Sequence, residues 1–280
     1  MQIAEPTISA APSATLPPPP LPAADARWAL FLDVDGTLLD FVDDPLAVRA
    51  DAPLRELLHA LHRALDGAMA LVSGRGVPDL DRIFGAPHWA AAGLHGLQLR
   101  HADGSVREIA TAPAQQARLC GAAQALVAGF AGVTWEDKHN GVALHCRRAP
   151  AQFGPLHAAA TALLSQLPGY ELQPGNLVLE FKPRGMDKGK ALLQLLDSEP
   201  FRGRLPVYLG DDLTDEHAFA GINRCNGISV RVGGREPTHA RFTLPGPAAT
   251  QAWLNRVLDA LTQGTHVHAP IPGGHTARQP

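Results

Sequence analysis

The sequence predicts an α/β fold: a parallel-stranded core with an α+β module inserted into it. Three observations predict this. Near the start, short apolar runs that end in small or acidic residues alternate with a helix-patterned segment. From about residue 109 to 182 the pattern changes to helix, hairpin, helix, hairpin. Beyond that stretch the strand–helix alternation resumes, so one domain is split in sequence around another.

The elements follow in order. WALFLDVD (28–35) reads as a buried strand stopped by Asp and Gly. A helix follows, with Asp51 as N-cap and Pro53 in its first turn. Leu54, Leu57, Leu58, Leu61 and Leu65 fall on one face of it. AMALVSG (68–74) and HWAAAG (88–93) are further strands, and βαβ logic makes them parallel, with active groups at their carboxyl ends. Residues 115–129 pattern as a helix. GVTWEDK (132–138) and GVALHCRR (141–148) form a hairpin around His-Asn-Gly. Another helix covers 155–167, and YELQPGNLVLEFK (170–182) gives a strand pair around Pro-Gly-Asn. The core then returns with a helix at 188–197, strands PVYLG (206–210) and GISVRV (227–232), and a last helix near 248–262.

The ends read differently. Residues 1–26 are rich in Pro, Ala and Ser, with four consecutive prolines and neither a basic nor an apolar leader region, and are expected to be a disordered extension. Residues 264–280, with His266 and His268, are expected to be a disordered tail. The predicted layout is a core of 27–108 and 183–263 and an inserted domain of 109–182.

Composition narrows the function. At 45% hydrophobic, 18% charged and a net charge of −3, the chain suits no nucleic-acid or anionic-membrane partner. No apolar run approaches the ~20 residues needed to span a bilayer. Cys120, Cys146 and Cys225 are odd in number and scattered, which argues against a disulfide framework and for a reducing cytoplasm. Most of the thirteen histidines stand singly in amphipathic segments. A monomer is expected.

Four polar clusters stand where core strands end: Asp33 and Asp35; Ser73; Lys188 at a helix start; and Asp211, Asp212 and Asp215. Two carboxylates about 4 Å apart repel by roughly 4 kcal/mol at an effective dielectric near 20. Asp33 and Asp35 therefore either face open water or serve a cation and a reaction. Phosphoryl transfer needs these residue types together. Asp33 can attack phosphorus as a nucleophile, and Asp35 can protonate the leaving alcohol and then deprotonate water. Asp211 adds a further acid, which calls for a hard divalent cation. Mg²⁺ suits the oxygens of Asp33, the Asp35 backbone carbonyl and Asp211. Ser73 and Lys188 suit phosphoryl oxygens, and Asp215 would orient Lys188 or metal-bound waters, with Asp212 beside it. Gly36 and Gly74 let backbone amides approach a phosphate.

DVDGT, the serine of VSGR, the lysine of DKGK and GDDLTDE resemble the four motifs of the haloacid dehalogenase (HAD) phosphatase superfamily. The resemblance implies a Rossmann-like core and, from the inserted α+β module, the larger sheet-bearing C2-type cap. AGLHG (92–96), WEDKHNGVALHCRRAP (135–150), LVLEFKPRGMDKGKAL (177–192) and YLGDDLTDEHAF (208–219) are similar to the trehalose-6-phosphate phosphatases. That resemblance implies a Mg²⁺-dependent hydrolase acting on trehalose 6-phosphate, with Glu136, Lys138 and Glu180 as cap residues bonded to sugar hydroxyls. Glu136 and Lys138 sit at i and i+2 of a strand, on one face. His95 reads as a structural hydrogen bond or a substrate contact, and Arg75 as structural. Cys146 stands where the family commonly has Tyr.

Other readings are a HAD phosphatase for sucrose 6-phosphate or glucosylglycerol phosphate, a phosphomutase, and an inactive sugar-phosphate sensor. Asp33 and Asp35 are both present, against the sensor. No GxGxxG follows the first strand, against a dinucleotide-binding dehydrogenase.

Overall fold

The structure, a computed structural model, describes residues 16–23, 25–42, 46–85, 87–109, 111–138, 140–175 and 177–265. The first strand, β1 (Trp28–Leu32), is buried at every position. It lies at the centre of an eight-stranded sheet, and both of its faces are covered, as an uninterrupted apolar strand requires. Helix α1 (Ala52–Ala64) starts where Asp51 accepts from Leu54 N at 2.9 Å, and it buries Leu54, Leu57, Leu58 and Leu61. Next come β2 (Met69–Val72), α2 (Val77–Phe84), β3 (Ala90–Gly93), β4 (Gln98–Arg100) and β5 (Val106–Glu108).

The inserted module holds α3 (Pro113–Val127), β6 (Thr134–Asp137), β7 (Val142–His145), α4 (Phe153–Leu163), β8 (Tyr170–Gly175) and β9 (Val178–Pro183). Its sheet is antiparallel, in the order β6-β7-β9-β8. It has its own core of Leu119, Val142, Leu144, Cys146, Leu156, Tyr170 and Phe181. Cys146 packs in that core as a small apolar group. The core domain resumes with α5 (Lys188–Leu196), β10 (Leu205–Gly210), α6 (Glu216–Arg224), β11 (Ile228–Val232), β12 (Phe242–Leu244) and α7 (Pro247–Thr265). Trp28 of β1 stacks on Trp253 of α7, ring centroids 6.1 Å apart.

The large sheet runs β12-β11-β10-β1-β2-β3-β4-β5. Strands β12 to β3 are parallel, whereas β4 and β5 are antiparallel additions that the βαβ reading did not contain. The sequence reading also lacked α2, α6 and β12. Each is short, and β12 and β5 are edge strands of three residues with little apolar pattern to read. In the cap, Pro174 and Gly175 belong to β8 itself and not to a turn. Strand β8 lies at the edge of its sheet, where a proline is tolerated. His139 and Asn176 of the two expected turns lie outside the described residues.

One expectation is corrected. Residues 16–23 are not a disordered extension. Leu16 packs on the core, Pro19 and Pro22 are buried, and Pro17 O accepts from Thr243 N at 3.0 Å, on the free side of β12. Leu16, Pro19 and Pro22 are three residues apart, the repeat of a polyproline helix, so one ridge of that helix meets the core. Composition signalled the conformation but not the partner. Residues 1–15 and 266–280 lie outside the described residues.

Candidate active site

Register sets the site. Leu32 of β1 pairs with Leu209 of β10 and with Leu71 of β2. The carboxyl ends of these three strands therefore lie level, with β1 in the middle, and the chain leaves β1 and its neighbours in different directions. An open α/β sheet places its crevice at such a point. Asp33 leaves β1, Ser73 leaves β2 and Asp211 leaves β10 into one cavity of about 730 Å³. Core residues line one side and the cap residues Glu136, Lys138, Ala143, His145 and Glu180 line the other.

Asp33 is 4% exposed. Its N–H donates to Leu209 O at 3.0 Å, which extends the ladder one residue beyond the strand and fixes the carboxylate at the crevice floor. Lys188, at the start of α5, lies 2.9 Å from Asp33 Oδ1 and donates to Asp215 Oδ1 at 2.6 Å. Asp215 is fully buried. It also accepts from Tyr208 Oη at 2.5 Å and from the amides of Asp211 and Asp212 at 2.9 Å each. Asp215 thus aims the lysine and pins the Asp211 loop. Burial works against the charge on Lys188, but Asp215 and Asp33 override it and hold its pKa above the ordinary lysine value.

The carboxylates lean the other way. Burial holds the Asp33 pKa well above the usual range, with Lys188 opposing and Asp215 and Asp211 adding to the rise. Asp211 is pushed up to about 7 by burial and then by Asp215. Carboxyl oxygens of Asp33, Asp211 and Asp215 come within 4.8 Å of one another, and one lysine sits among them. Three acids against one ammonium leave a deficit of positive charge at an all-oxygen donor set. That suits a hard divalent cation held by Asp33 and Asp211. Asp212 is not in this cluster. Its side chain accepts from Leu213 N at 2.7 Å and lies 3.2 Å from the Arg235 guanidinium.

Two glycines make the close approaches possible. Gly36 turns at φ +79°, and a Cβ there would lie 2.2 Å from Asp211 Oδ2. A Cβ on Gly74 would lie 2.8 Å from the His95 ring. Ser73 is buried. Its N–H donates to Ala92 O at 2.8 Å, and its Oγ accepts from Arg75 N at 3.2 Å. Arg75 forks onto Asp35, Nε to Oδ2 at 2.6 Å and Nη2 to Oδ1 at 2.7 Å. The guanidinium therefore sets the orientation of the Asp35 carboxylate, a closer engagement with the site than the structural reading of Arg75 implied.

On the cap, Glu136 pairs across β7 with Ala143, and Ala143 pairs with Glu180 of β9. The three form one cross-strand row, with a small residue between two acids. Glu136 accepts from His145 Nε2 at 2.9 Å and lies 2.7 Å from Lys138 Nζ. The His145 hydrogen bond, with Lys138, brings its pKa down to about 2. Glu180 reaches His95 of the core, Oε2 to Nε2 at 3.3 Å. Burial would raise the Glu180 pKa, but His95, Lys138 and Lys182 together outweigh it and the net shift is down. The structure brings the predicted site residues to this one cavity except Asp215, which is buried beneath it, and Gly36, whose N–H is not free for a phosphate because it donates to Leu39 O at 2.7 Å. Tyr208 and His145 were missed. A tyrosine in the buried strand PVYLG needs a hydroxyl partner, and His145 is two residues from Ala143 on the same strand face, so both had a signal.

A family model described as Trehalose-phosphatase matches residues 31–248. The chain is 36% identical over 242 residues to the trehalose-6-phosphate phosphatase of Escherichia coli (strain K12), which covers 86% of this chain and 91% of that one. It is 41% identical over 225 residues to a probable trehalose-phosphate phosphatase of Sinorhizobium fredii, covering 80% and 84%. Among solved structures, the C-terminal domain of the C. albicans trehalose-6-phosphate phosphatase superposes with a TM-score of 0.73 at 20% identity, covering 86% of this chain and 99% of that one. A phosphatase of the HAD superfamily from Bacteroides thetaiotaomicron gives a TM-score of 0.57 at 17% identity, covering 86% and 95%. At those identities the superpositions speak to the fold, an α/β HAD core with a sheet-bearing cap.

Proposed function

Because the chain belongs to the trehalose-phosphatase family, we propose that it hydrolyses trehalose 6-phosphate to trehalose and inorganic phosphate through an aspartyl-phosphate on Asp33. The observation that carries this reading is the placement of Asp33, buried against Lys188, at the floor of a cavity whose opposite wall is the cap row Glu136–Ala143–Glu180.

In the first half-reaction an Asp33 oxygen attacks phosphorus and the bond from phosphorus to the sugar oxygen breaks. Asp35 gives that oxygen its proton. In the second half, a water oxygen attacks phosphorus and Asp35 takes the proton. The bond from phosphorus to Asp33 then breaks, which frees phosphate and restores the carboxylate. Lys188, Ser73 Oγ and the amide of Gly74 hold the phosphoryl oxygens as charge builds on them. Arg75 keeps Asp35 in its orientation. Asp33, the Asp35 carbonyl and Asp211 would hold Mg²⁺, which supplies positive charge to the phosphoryl group and the surrounding acids.

The cap side chains Glu136, Lys138 and Glu180 face the cavity and take sugar hydroxyls, and His95 supports Glu180 from below. Every group invoked comes from one chain, so a monomer suffices. Free Cys120, Cys146 and Cys225 fit a reducing cytoplasm. No helix among the described residues is long and apolar enough to cross a membrane.

The test is phosphate release with Mg²⁺ from trehalose 6-phosphate, sucrose 6-phosphate, glucose 6-phosphate and p-nitrophenyl phosphate. A preference for trehalose 6-phosphate of about a hundredfold in kcat/KM, roughly 2.7 kcal/mol of transition-state discrimination, is expected. A flat profile overturns the substrate assignment and leaves the phosphatase chemistry.

A further inference from the structure

The segment that leaves the catalytic strand carries apolar side chains toward solvent. Phe41 is 53% exposed, Val42 44% and Leu46 71%. Among the described residues Phe41 is the only exposed phenylalanine. Leu21, Leu205 and Leu213 stand singly and Val106 and Ile109 form a pair at the far edge of the sheet, whereas these three fall within six positions. All three line the catalytic cavity, and Pro78 lines it with them. They belong to the core side. The cap side of the same cavity is mostly charged or polar, with Glu136, Lys138, His145, Arg147 and Glu180 beside the smaller Ala143 and Val178.

A cavity whose core wall carries an apolar patch beside its charged floor, facing a cap wall of charged side chains, fits a particular ligand surface. A pyranose ring presents hydroxyl groups around its edge and C–H bonds on its faces. Its edge satisfies carboxylates and ammonium groups, and its C–H face packs on an aromatic ring at little desolvation cost. A phosphoryl group seated over Asp33 and Lys188 uses none of this apolar patch. The cavity, about 730 Å³, also exceeds what one phosphorylated hexose fills, so there is room for a second ring.

Resting on the proposed activity, we infer that Phe41, with Val42 and Leu46 beside it, is the platform for the sugar ring that does not carry the phosphate. The cap row reads the hydroxyls of the substrate, and Phe41 reads the presence of a second ring. Phe41 is then a specificity-determining residue and takes no part in the phosphoryl transfer. Its side chain is already exposed in the free protein, so its removal leaves no cavity in the core.

The experiment measures kcat/KM for trehalose 6-phosphate and for glucose 6-phosphate in the wild-type protein and in Phe41→Ala and Phe41→Trp, and the Ki of trehalose as a product inhibitor. Phe41→Ala is expected to lower kcat/KM for the disaccharide phosphate about tenfold, chiefly through KM, and to raise the trehalose Ki by a similar factor. It should leave glucose 6-phosphate within about twofold, and Phe41→Trp should keep the disaccharide preference. An equal loss on both substrates would mean that the segment serves cap closure or the core, and overturns the inference. So does an unchanged disaccharide rate. A wild-type protein with no preference for the two-ring substrate removes the proposed activity itself, a result distinct from a preference that Phe41→Ala leaves intact.

Discussion

Glu180 of cap strand β9 and His95 of the core meet at 3.3 Å, directly over Gly74, whose missing side chain makes room for the His95 ring. A residue assigned to sugar recognition is thus also a point where cap and core touch. Ligand hydroxyls must share Glu180 with His95, so closure of the cap and capture of the sugar are coupled through one carboxylate.

Glu180→Ala should therefore hurt the natural substrate selectively. The expected loss in kcat/KM is about a hundredfold for trehalose 6-phosphate and under about threefold for p-nitrophenyl phosphate. Steady-state kinetics on both substrates check it. Equal losses would assign Glu180 to the phosphoryl site.

Asp33→Asn removes the nucleophile and keeps the shape. Turnover should fall below about a thousandth of wild type, a barrier increase above roughly 4 kcal/mol, with an unchanged circular dichroism spectrum. Activity near wild type would rule out the aspartyl-phosphate.

Asp215 is the buried acceptor for Lys188, Tyr208 and two backbone amides. Asp215→Ala leaves that lysine with Asp33 alone, at a cost of about 3–5 kcal/mol. For a chain of this size that lowers Tm by roughly 10 °C. Calorimetry measures it, and a shift below a few degrees would mean that water replaces the carboxylate readily.

The acidic site should bind its metal in a pH-dependent way. Asp211 has its pKa raised from 3.8 to about 7, so without metal the folded chain holds a proton that the unfolded chain gives up across that window. The stability from that proton is present below the window and is lost as pH rises through 7. A cation competes for the same oxygen, so Mg²⁺ affinity should strengthen toward pH 7 and level off above it, by up to about tenfold per unit. Titration calorimetry from pH 6 to 8 reads this directly, and chelation with EDTA should abolish phosphate release. A flat affinity profile would show Asp211 ionised throughout.

The parts of the site that were legible in the sequence are those at fixed offsets from a strand end. Asp33, Ser73 and Asp211 each follow a buried apolar run, and parallel register brings such positions level. Lys188 was legible from its place at a helix start. Glu136 and Glu180 came from the resemblance, and their common row across β7 depends on hairpin register that spacing alone did not fix. The Arg75–Asp35 fork was hidden for a different reason. It joins residues forty positions apart through side chains, and no periodicity encodes such a pair. Strands β4, β5 and β12 were hidden because three residues carry too little pattern.

The proline arm has a consequence for how the chain behaves in company. Strand β12 ends the large sheet, and its outward amide at Thr243 is taken by Pro17 O. Prolines lack the N–H that a further strand would need, so the arm occupies the edge without extending it. A chain begun at residue 25 would leave that edge as a template for a second molecule. The segment that composition marks as dispensable thus covers one of the two edges of the large sheet, and light scattering of the shortened protein is expected to show its loss as growth of large particles over time.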